Sequence, residues 1–531
     1  MTLHQIDRRA LLRGAGAGLG TLLAGGLLAA CGSGDGKAPQ LATSSGPSMA
    51  PRKGGRLRAA FAGSAAESTN VLQATNSAVD YVRARLIWDT LGEIDGSKPA
   101  WRLAESVEPN ADATRWTVRV RDGVTFSDGR KLTADDVLFS LRTLAGNPTT
   151  QAGLLAGLDP AASTVRDPRT VELALKSPDG FFDLALAQSI FVIPNGTTDF
   201  EHAAGSGPFV LKNWTRGASS LLTARTDYWG TALGGGPYLD EIELSSVADA
   251  GARINGLKAG QFDYAGGITL TAARAEARNP GVRVVTAPQE LWSDLALTMN
   301  LGLHPFDKPA ALQAVRYAID REAMVRTVTL GYGEVADDAL GRHQSWYDSS
   351  LPRRAYDPEK AKKALADAGL SDVKLSVRTS DYEYGTLESA TAFVQHAQAA
   401  GLAVGVDKIP AADYYTDFKA LLSTPLQTNL YHAMPLPLQL SFFYGSKASY
   451  PFTGPAGPTL DGLLTAMHAA VGDDAKRTKA VQDVQHYLYD QGGDAVFARI
   501  PPVAAAKPTV QGVKALGSFD YPCLRDAFLS S

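Results

Sequence analysis

An α/β fold organised in more than one lobe is what this sequence predicts, and three observations carry it. Strand-like alternation and helix-like stripes interleave along the chain instead of segregating into blocks. Roughly 480 residues follow a Gly/Ser/Pro-rich stretch near the N-terminus, more than one core normally supports, so two or three lobes are expected. No repeat of short period and no second membrane-length apolar segment interrupts the pattern.

In chain order, Asp7-Arg8-Arg9-Ala10-Leu11-Leu12-Arg13 sets an arginine pair before an uncharged Gly/Ala/Leu-rich stretch from Gly14 to Ala30. That is the charged head and apolar middle of an export signal. Arg8 and Arg9 resemble a twin-arginine signal, which an export system reads as an address, with Ala10 and Leu11 standing where that motif prefers a bulky apolar pair. Leu28-Ala29-Ala30-Cys31-Gly32 resembles a bacterial lipobox, in which the cysteine sulfur receives a diacylglycerol; Cys31 then becomes the first residue of the mature chain. The alternative, a spanning anchor, wants about 20 strongly apolar residues. This stretch is short and carries Gly14, Gly16, Gly18, Gly20, Gly25 and Gly26, each of which weakens a helix. Acyl chains in pairs anchor stably where one binds only reversibly. From Gly32 to Lys53 the chain has almost no large apolar side chains, so it is expected to be a tether.

Composition excludes several functions. A formal net charge of -4 without a dense basic run gives no footprint for nucleic acid. With Cys31 lipidated, Cys523 stands alone, which removes an internal disulfide and any zinc or iron-sulfur site built on cysteine. The eight histidines are scattered, without HExxH spacing. No metal or cofactor is expected.

Past the tether, Gly54-Gly55-Arg56-Leu57-Arg58-Ala59-Ala60-Phe61 reads as a first strand ending at Gly63-Ser64. Trp116, Val118 and Val120 alternate with Thr117, Arg119 and Arg121, and Asp122-Gly123 turns the chain into Val124-Thr125-Phe126, a hairpin with one buried face. Thr133 and Asp136 form a helix-start signature before Val137, Leu138, Leu141 and Leu144. Asp135 and Asp136 are therefore read as helix-start acids suited to the dipole, not as a catalytic pair. Pro309 opens a helix with Leu312, Val315, Ile319 and Ala323 on one stripe and Arg316, Asp320 and Arg321 mostly off it. Asp357-Pro358 starts another, with Ala361, Ala364, Leu365 and Ala368 inside and Gly369 as the stop.

Six stretches in order now carry a resemblance. They are Leu103-Ala104-Glu105-Ser106 through Val118 to Gly129 and Leu132 to Val137; Gly205-Ser206-Gly207-Pro208-Phe209; Arg225 with Asp227-Tyr228-Trp229; Gly260-Gln261-Phe262-Asp263; Asn300 followed by Arg316 to Arg321; and Tyr356 to Ala361. Together they resemble the family 5 extracellular solute-binding proteins of bacteria, which include dipeptide, oligopeptide and nickel binders. The resemblance implies a two-lobed, periplasmic-binding-protein-like hinge fold with a third subdomain inserted in the first lobe. On that pattern the segments are 1–30 export signal, 31–53 tether, 54–91 with 205–290 and 494–531 first lobe, 92–204 insert, and 291–493 second lobe, with hinge strands near Leu291 to Asn300 and near Asp490.

The resemblance also implies a function: a monomeric lipoprotein on the outer face of the cell membrane that closes on a small solute, a peptide first among the classes, and delivers it to the permease subunits of an ABC-type importer. An oligosaccharide or metal chelate, or a ligand-sensing role apart from import, stays open. Ligand-facing places are the loop with Glu67, Ser68, Thr69 and Asn70, the segment Trp292-Ser293, and the loop Tyr431-His432-Ala433-Met434. Trp292 reads equally as a ligand-stacking ring or a core tryptophan; His432 reads as a polar loop residue ahead of a metal ligand. Peptide-binding relatives carry an aspartate in the last of these loops to pair with the free amine, yet here no Asp or Glu occurs between Asp417 and Asp461. A buried ammonium without a carboxylate is costly, so another acid such as Glu67 must take the role or the ligand is not a simple peptide. No enzyme is expected: Gly205-Ser206-Gly207 lacks the GxSxG spacing of a serine hydrolase.

Overall fold

The alternating run Arg56–Phe61 forms a strand that pairs in parallel with Glu241–Ser246 on one side and Tyr264–Ala265 on the other. It is an inner strand of an eight-stranded sheet in the order Ala42–Thr43, Arg283–Thr286, Val503–Ala506, Tyr264–Ala265, Arg56–Phe61, Glu241–Ser246, Ser219–Ala224 and Phe209–Thr215. The computed structural model describes residues 41–43, 49–72, 77–147, 153–188, 190–411, 413–414, 417–515 and 521–530. Arg8, Arg9 and Cys31, and with them the export-signal and lipobox expectations, lie outside the described residues. Part of the expected tether is ordered: Ala42 and Thr43 pair in parallel with Val285 and Thr286, and Leu41 packs on the cluster of Ile254, Leu257 and Val284. Unpaired backbone on the neighbouring edge strand supplies what the side chains of this segment could not.

A second, six-stranded sheet runs Glu334–Val335, Asp494–Ile500, Ser293–Met299, Leu426–Tyr431, Lys374–Thr379 and Ala403–Lys408. Three of its four inner strands, Asp494–Ile500, Ser293–Met299 and Leu426–Tyr431, are buried at every residue, because helices and loops cover both faces. The chain passes from the first sheet to the second through 287–292 and returns through 501–502. Asp494–Ile500 therefore belongs with the second sheet, and the return expected at 494 falls after Ile500; the strand's uniformly buried residues carry no marker of which sheet they join.

The third sheet is antiparallel, in the order Ala104–Pro109, Arg115–Val120, Thr170–Leu175 and Leu158–Asp167. Trp116, Val118 and Val120 face inward as expected, but the hairpin partner of this strand is Ala104–Pro109. Val124-Thr125-Phe126 instead closes a tight loop of its own, with Phe126 N–H donating to the Arg130 carbonyl (2.8 Å) and Leu132 N–H to that of Val124 (3.0 Å).

Thr133 N–H donates to Asp136 Oδ2 (2.7 Å) at the start of helix Ala134–Ala145, and Asp357 Oδ1 accepts from Lys360 N–H (2.8 Å) at the start of Pro358–Asp367. Both acids are caps, as expected. The stripe from Leu312 to Ala323 is two helices, Pro309–Tyr317 and Arg321–Val328, divided by the N-cap Asp320. Arg316 and Arg321, expected off the buried stripe, are buried. Arg316 donates to the carbonyls of Leu488, Tyr489, Asp490, Gly492 and Asp494, which satisfies the bare C-terminal end of helix Asp474–Gln491. Arg321 pairs with Asp338.

Candidate functional site

Strands Ser293–Met299 and Leu426–Tyr431 run antiparallel with Asp294 opposite Tyr431, and Ser293 lies opposite Ile500. The beginning of the first, the end of the second and the end of Asp494–Ile500 therefore share one end of the six-stranded sheet, next to both crossing segments. Trp292, Ser293, Tyr431, His432 and Met434 are brought together there by pairing alone.

Their environments differ. Trp292 is half-buried; its Nε1–H donates to the Ala287 carbonyl (3.0 Å), and its own carbonyl accepts from Arg499 Nη2 (2.7 Å). Ser293 is buried with Oγ 3.0 Å from the Tyr384 hydroxyl. Tyr431 turns inward, its ring edge-on to Phe443 at 4.6 Å and its hydroxyl donating to the Asp494 carboxylate (3.0 and 3.1 Å). Tyr444 and Thr298 also donate to Asp494, whose carboxyl is pushed up by burial against these hydrogen bonds. Met434 is a core residue, and Ala433 packs on Ala287 and Leu291 of the crossing segment. His432 Nε2 lies 3.4 Å from Glu383 Oε2.

Beneath this end, a buried ionic group ties the two crossing strands. Arg499 Nε meets Asp294 Oδ1 at 3.0 Å and Arg499 Nη1 meets Glu334 Oε1 at 3.2 Å, while Gly341 N–H donates to Asp294 Oδ2 (3.0 Å). Desolvation pushes the Asp294 carboxyl up, to about 6, with Arg499 pulling the other way. The group links Ser293–Met299 to Asp494–Ile500 through Asp294 and Arg499, and to the edge strand Glu334–Val335 through Glu334.

Glu67 and Asn70 belong to another cluster, on the loop after Arg56–Phe61. Glu67 is buried, with Oε2 3.3 Å from Arg83 Nη1 and Oε1 without a hydrogen-bond partner. Arg83 pairs also with Asp80 and lies 5.0 Å from the Trp214 ring centre. Asn70 Oδ1 accepts from Leu72 N–H (3.1 Å), which shapes the loop itself. Sequence reasoning missed Glu383 and Tyr384, which reach His432 and Ser293 from the loop before helix Thr386–Ala399. The acid absent from the Tyr431-His432 stretch is thus present beside it in space. Two aromatic residues flanking an acid directly before a glycine, in Tyr382-Glu383-Tyr384-Gly385, were the available signal.

Comparison with known proteins gives the fold and the family. The glutathione-binding protein GsiB of Salmonella typhi is 29% identical over 301 residues, spanning 55% of this chain and 57% of that protein; the chain spans just over half the length of the curated relatives it matches. Among solved structures, the oligopeptide-binding protein AppA from Bacillus subtilis, in complex with a nonapeptide, superposes with a TM-score of 0.74 at 21% identity, covering 91% of this chain and 100% of that one. NikZ from Campylobacter jejuni, in complex with Ni(L-His), does so with a TM-score of 0.72 at 19% identity, covering 86% and 95%. Both share the fold. Residues 98–437, well over half of the sequence, match the bacterial extracellular solute-binding proteins, family 5 (middle), and the chain belongs to that family.

Proposed function

We propose that this chain is the extracytoplasmic substrate-binding protein of an ABC-type importer, capturing a small solute of the peptide class and handing it to the permease subunits. The observation that carries the reading is the junction: two chain crossings, 287–292 and 501–502, join the eight-stranded and six-stranded sheets, and Trp292, Ser293 and His432 stand at that junction. A ligand seated there would touch both halves and stabilise their closed arrangement. Under this reading 54–91, 205–290 and the segment after Ile500 make the first lobe, 92–204 the insert, and 291–500 the second lobe. The glutathione bound by GsiB and the nonapeptide bound by AppA favour peptides over sugars. The protein acts as a monomer, without turnover, held at the outer face of the cell membrane by a lipid on Cys31 after export through the Arg8-Arg9 signal.

A thermal-shift screen of the full chain tests this reading, since a ligand at a hundred times its Kd adds about 2.7 kcal/mol to stability. Peptides of two to five residues and glutathione are expected to raise the melting temperature; no rise with peptides, oligosaccharides or nickel-histidine would remove solute capture. Anchoring is read separately: Cys31→Ala is expected to move the protein from the membrane fraction to the soluble one, and retention of the variant in the membrane would point to a spanning segment.

A further inference from the structure

Loop 176–181, between strand Thr170–Leu175 and helix Phe182–Ala187, meets the end of helix Pro458–His468 away from the two crossings. The His468 ring bridges the two sides. Its Nδ1 lies 2.9 Å from Asp179 Oδ1, and its Nε2 lies 2.8 Å from Ser441 Oγ of helix Leu436–Phe443. The Ser441 hydroxyl donates to the Pro437 carbonyl (3.0 Å), so Nε2 is the donor to Ser441 while Nδ1 faces a carboxylate. An imidazolium, with a proton on each nitrogen, is the form that serves both contacts. Asp179 is fixed from its own side: Oδ1 accepts from Phe181 N–H (2.9 Å), its carbonyl accepts from Trp116 Nε1–H (3.2 Å), and its N–H donates to the Ala113 carbonyl (3.1 Å). With the His468 side chain 27% exposed and that of Asp179 16% exposed, the pair is shielded yet open to exchange of a proton.

The surrounding charges favour that proton. Burial pushes the imidazole down, yet Asp179 outweighs both burial and the like charge of Lys447 and holds it above the ordinary 6.5. The other charged groups packed here are engaged. Arg477 of helix Asp474–Gln491 donates to the Gly180 carbonyl (3.0 Å) and lies 3.8 Å from Asp474, Asp461 accepts from Ser446 N–H (2.8 Å), and Lys176 donates to the Ala156 carbonyl (3.0 Å). Burial pushes the Asp183 carboxyl up to about 6, against the pull of Arg477, so it is the second group here that titrates near neutrality. Parting the two surfaces takes Asp179 away from His468 and returns the ring to its ordinary range. A value raised in the contact means that the closed arrangement binds the proton more tightly. Its contribution is complete below 6.5 and is lost as pH rises through the raised value.

We propose that the His468–Asp179 pair is a proton-sensitive latch between the insert and the second lobe, engaged in acid and released in alkali, so that the protein holds its solute longer at low pH. This rests on the hinged solute-binding reading and adds its regulation. The test uses the full chain at pH 5.5, 6.5, 7.5 and 8.5, with the ligand-free radius of gyration read by small-angle scattering and trialanine release read by stopped flow. The wild type is expected to have the smaller radius at pH 5.5 and to release trialanine on the order of 5-fold more slowly there than at pH 8.5. His468→Gln and Asp179→Asn, each removing one side of the pair, are expected to flatten both profiles, and Asp183→Asn to keep both. Titration of the ligand itself is common to all four proteins and cancels in the comparison. A wild type whose radius and release do not change with pH overturns the inference and leaves solute capture standing, as do His468→Gln and Asp179→Asn variants that keep the wild-type profile. Profiles flattened by Asp183→Asn alone also overturn it, by assigning the proton to that carboxyl. If trialanine binds at no pH, the peptide reading falls and the radius profiles still decide the latch: a change lost in His468→Gln supports it, and a flat or unaltered profile removes it.

Discussion

Glu93 is a carboxylate that burial alone would push up, yet the Arg525 guanidinium at 2.7 Å, with Arg102 and Arg85 behind it, outweighs burial and holds it at about 2 against an ordinary 4.5. The pair joins the short strand Gly92–Asp95 to the C-terminal segment, and both side chains are almost fully buried. Because the folded value lies below the unfolded one, the stabilisation is complete above pH 4.5 and is lost as pH falls from 4.5 toward 2. The shift corresponds to about 3 kcal/mol. Urea denaturation at pH 7, 5 and 3 should therefore show the wild type losing more stability on acidification than Glu93→Gln, whose amide does not titrate. Parallel losses in the two proteins would assign the acid sensitivity to other carboxylates.

Where an element's cause is local, it was legible. Thr133 with Asp136, and Asp357 with Pro358, announced their helices because a cap needs residue types only three positions apart, and the inward alternation of Trp116, Val118 and Val120 survived intact. What failed depends on partners distant in sequence. Nothing near Arg316 says that it will cover the end of a helix 172 to 178 residues later. The pairing of Arg115–Val120 with the strand before it was hidden by Asp122-Gly123, a turn signal that leads the chain into a smaller loop turned at 127–129. The site divides in the same way. Trp292, Ser293, Tyr431 and His432 share one sheet end because antiparallel pairing brings Asp294 opposite Tyr431; the resemblance named these places in advance but not the pairing. Glu383 reaches His432 from a separate loop, so the missing acid was invisible to any reading confined to 417–461.

At the scale of the molecule, the hydrophobic cluster that begins at Leu57 runs through Trp116 and Phe181 to Leu464, Met467 and Val484, so the four-stranded sheet and helices Pro458–His468 and Asp474–Gln491 share a core, to which the six-stranded sheet adds Ala296, Tyr431 and Val496 while its other residues pack in a second cluster around Leu297, Val315 and Phe393. The contact between the four-stranded part and those helices is close. Gly180 N–H donates to the His468 carbonyl (2.7 Å), Arg477 Nη2 donates to the Gly180 carbonyl (3.0 Å) with its guanidinium 4.4 Å from the Phe181 ring centre, and Phe181 meets Trp346 edge-on at 5.6 Å. A Cβ at position 180 would lie 2.3 Å from the Ala470 carbonyl oxygen, a distance no packed structure tolerates. Under the proposed hinge at the two crossings, opening breaks this contact, so the contact would compete with opening and favour the closed state. Gly180→Ala, which wedges the surfaces apart, and Arg477→Ala, which removes the guanidinium, are both expected to enlarge the ligand-free radius of gyration in small-angle scattering. Both should also speed release of trialanine or glutathione on the order of 10-fold, the equivalent of about 1.4 kcal/mol. Neither residue stands at the junction, so a faster release together with an enlarged ligand-free radius would mark the contact as a latch. Unchanged radius and release in both variants would mean that the four-stranded part and the helices move as one body, and the hinge would have to act elsewhere.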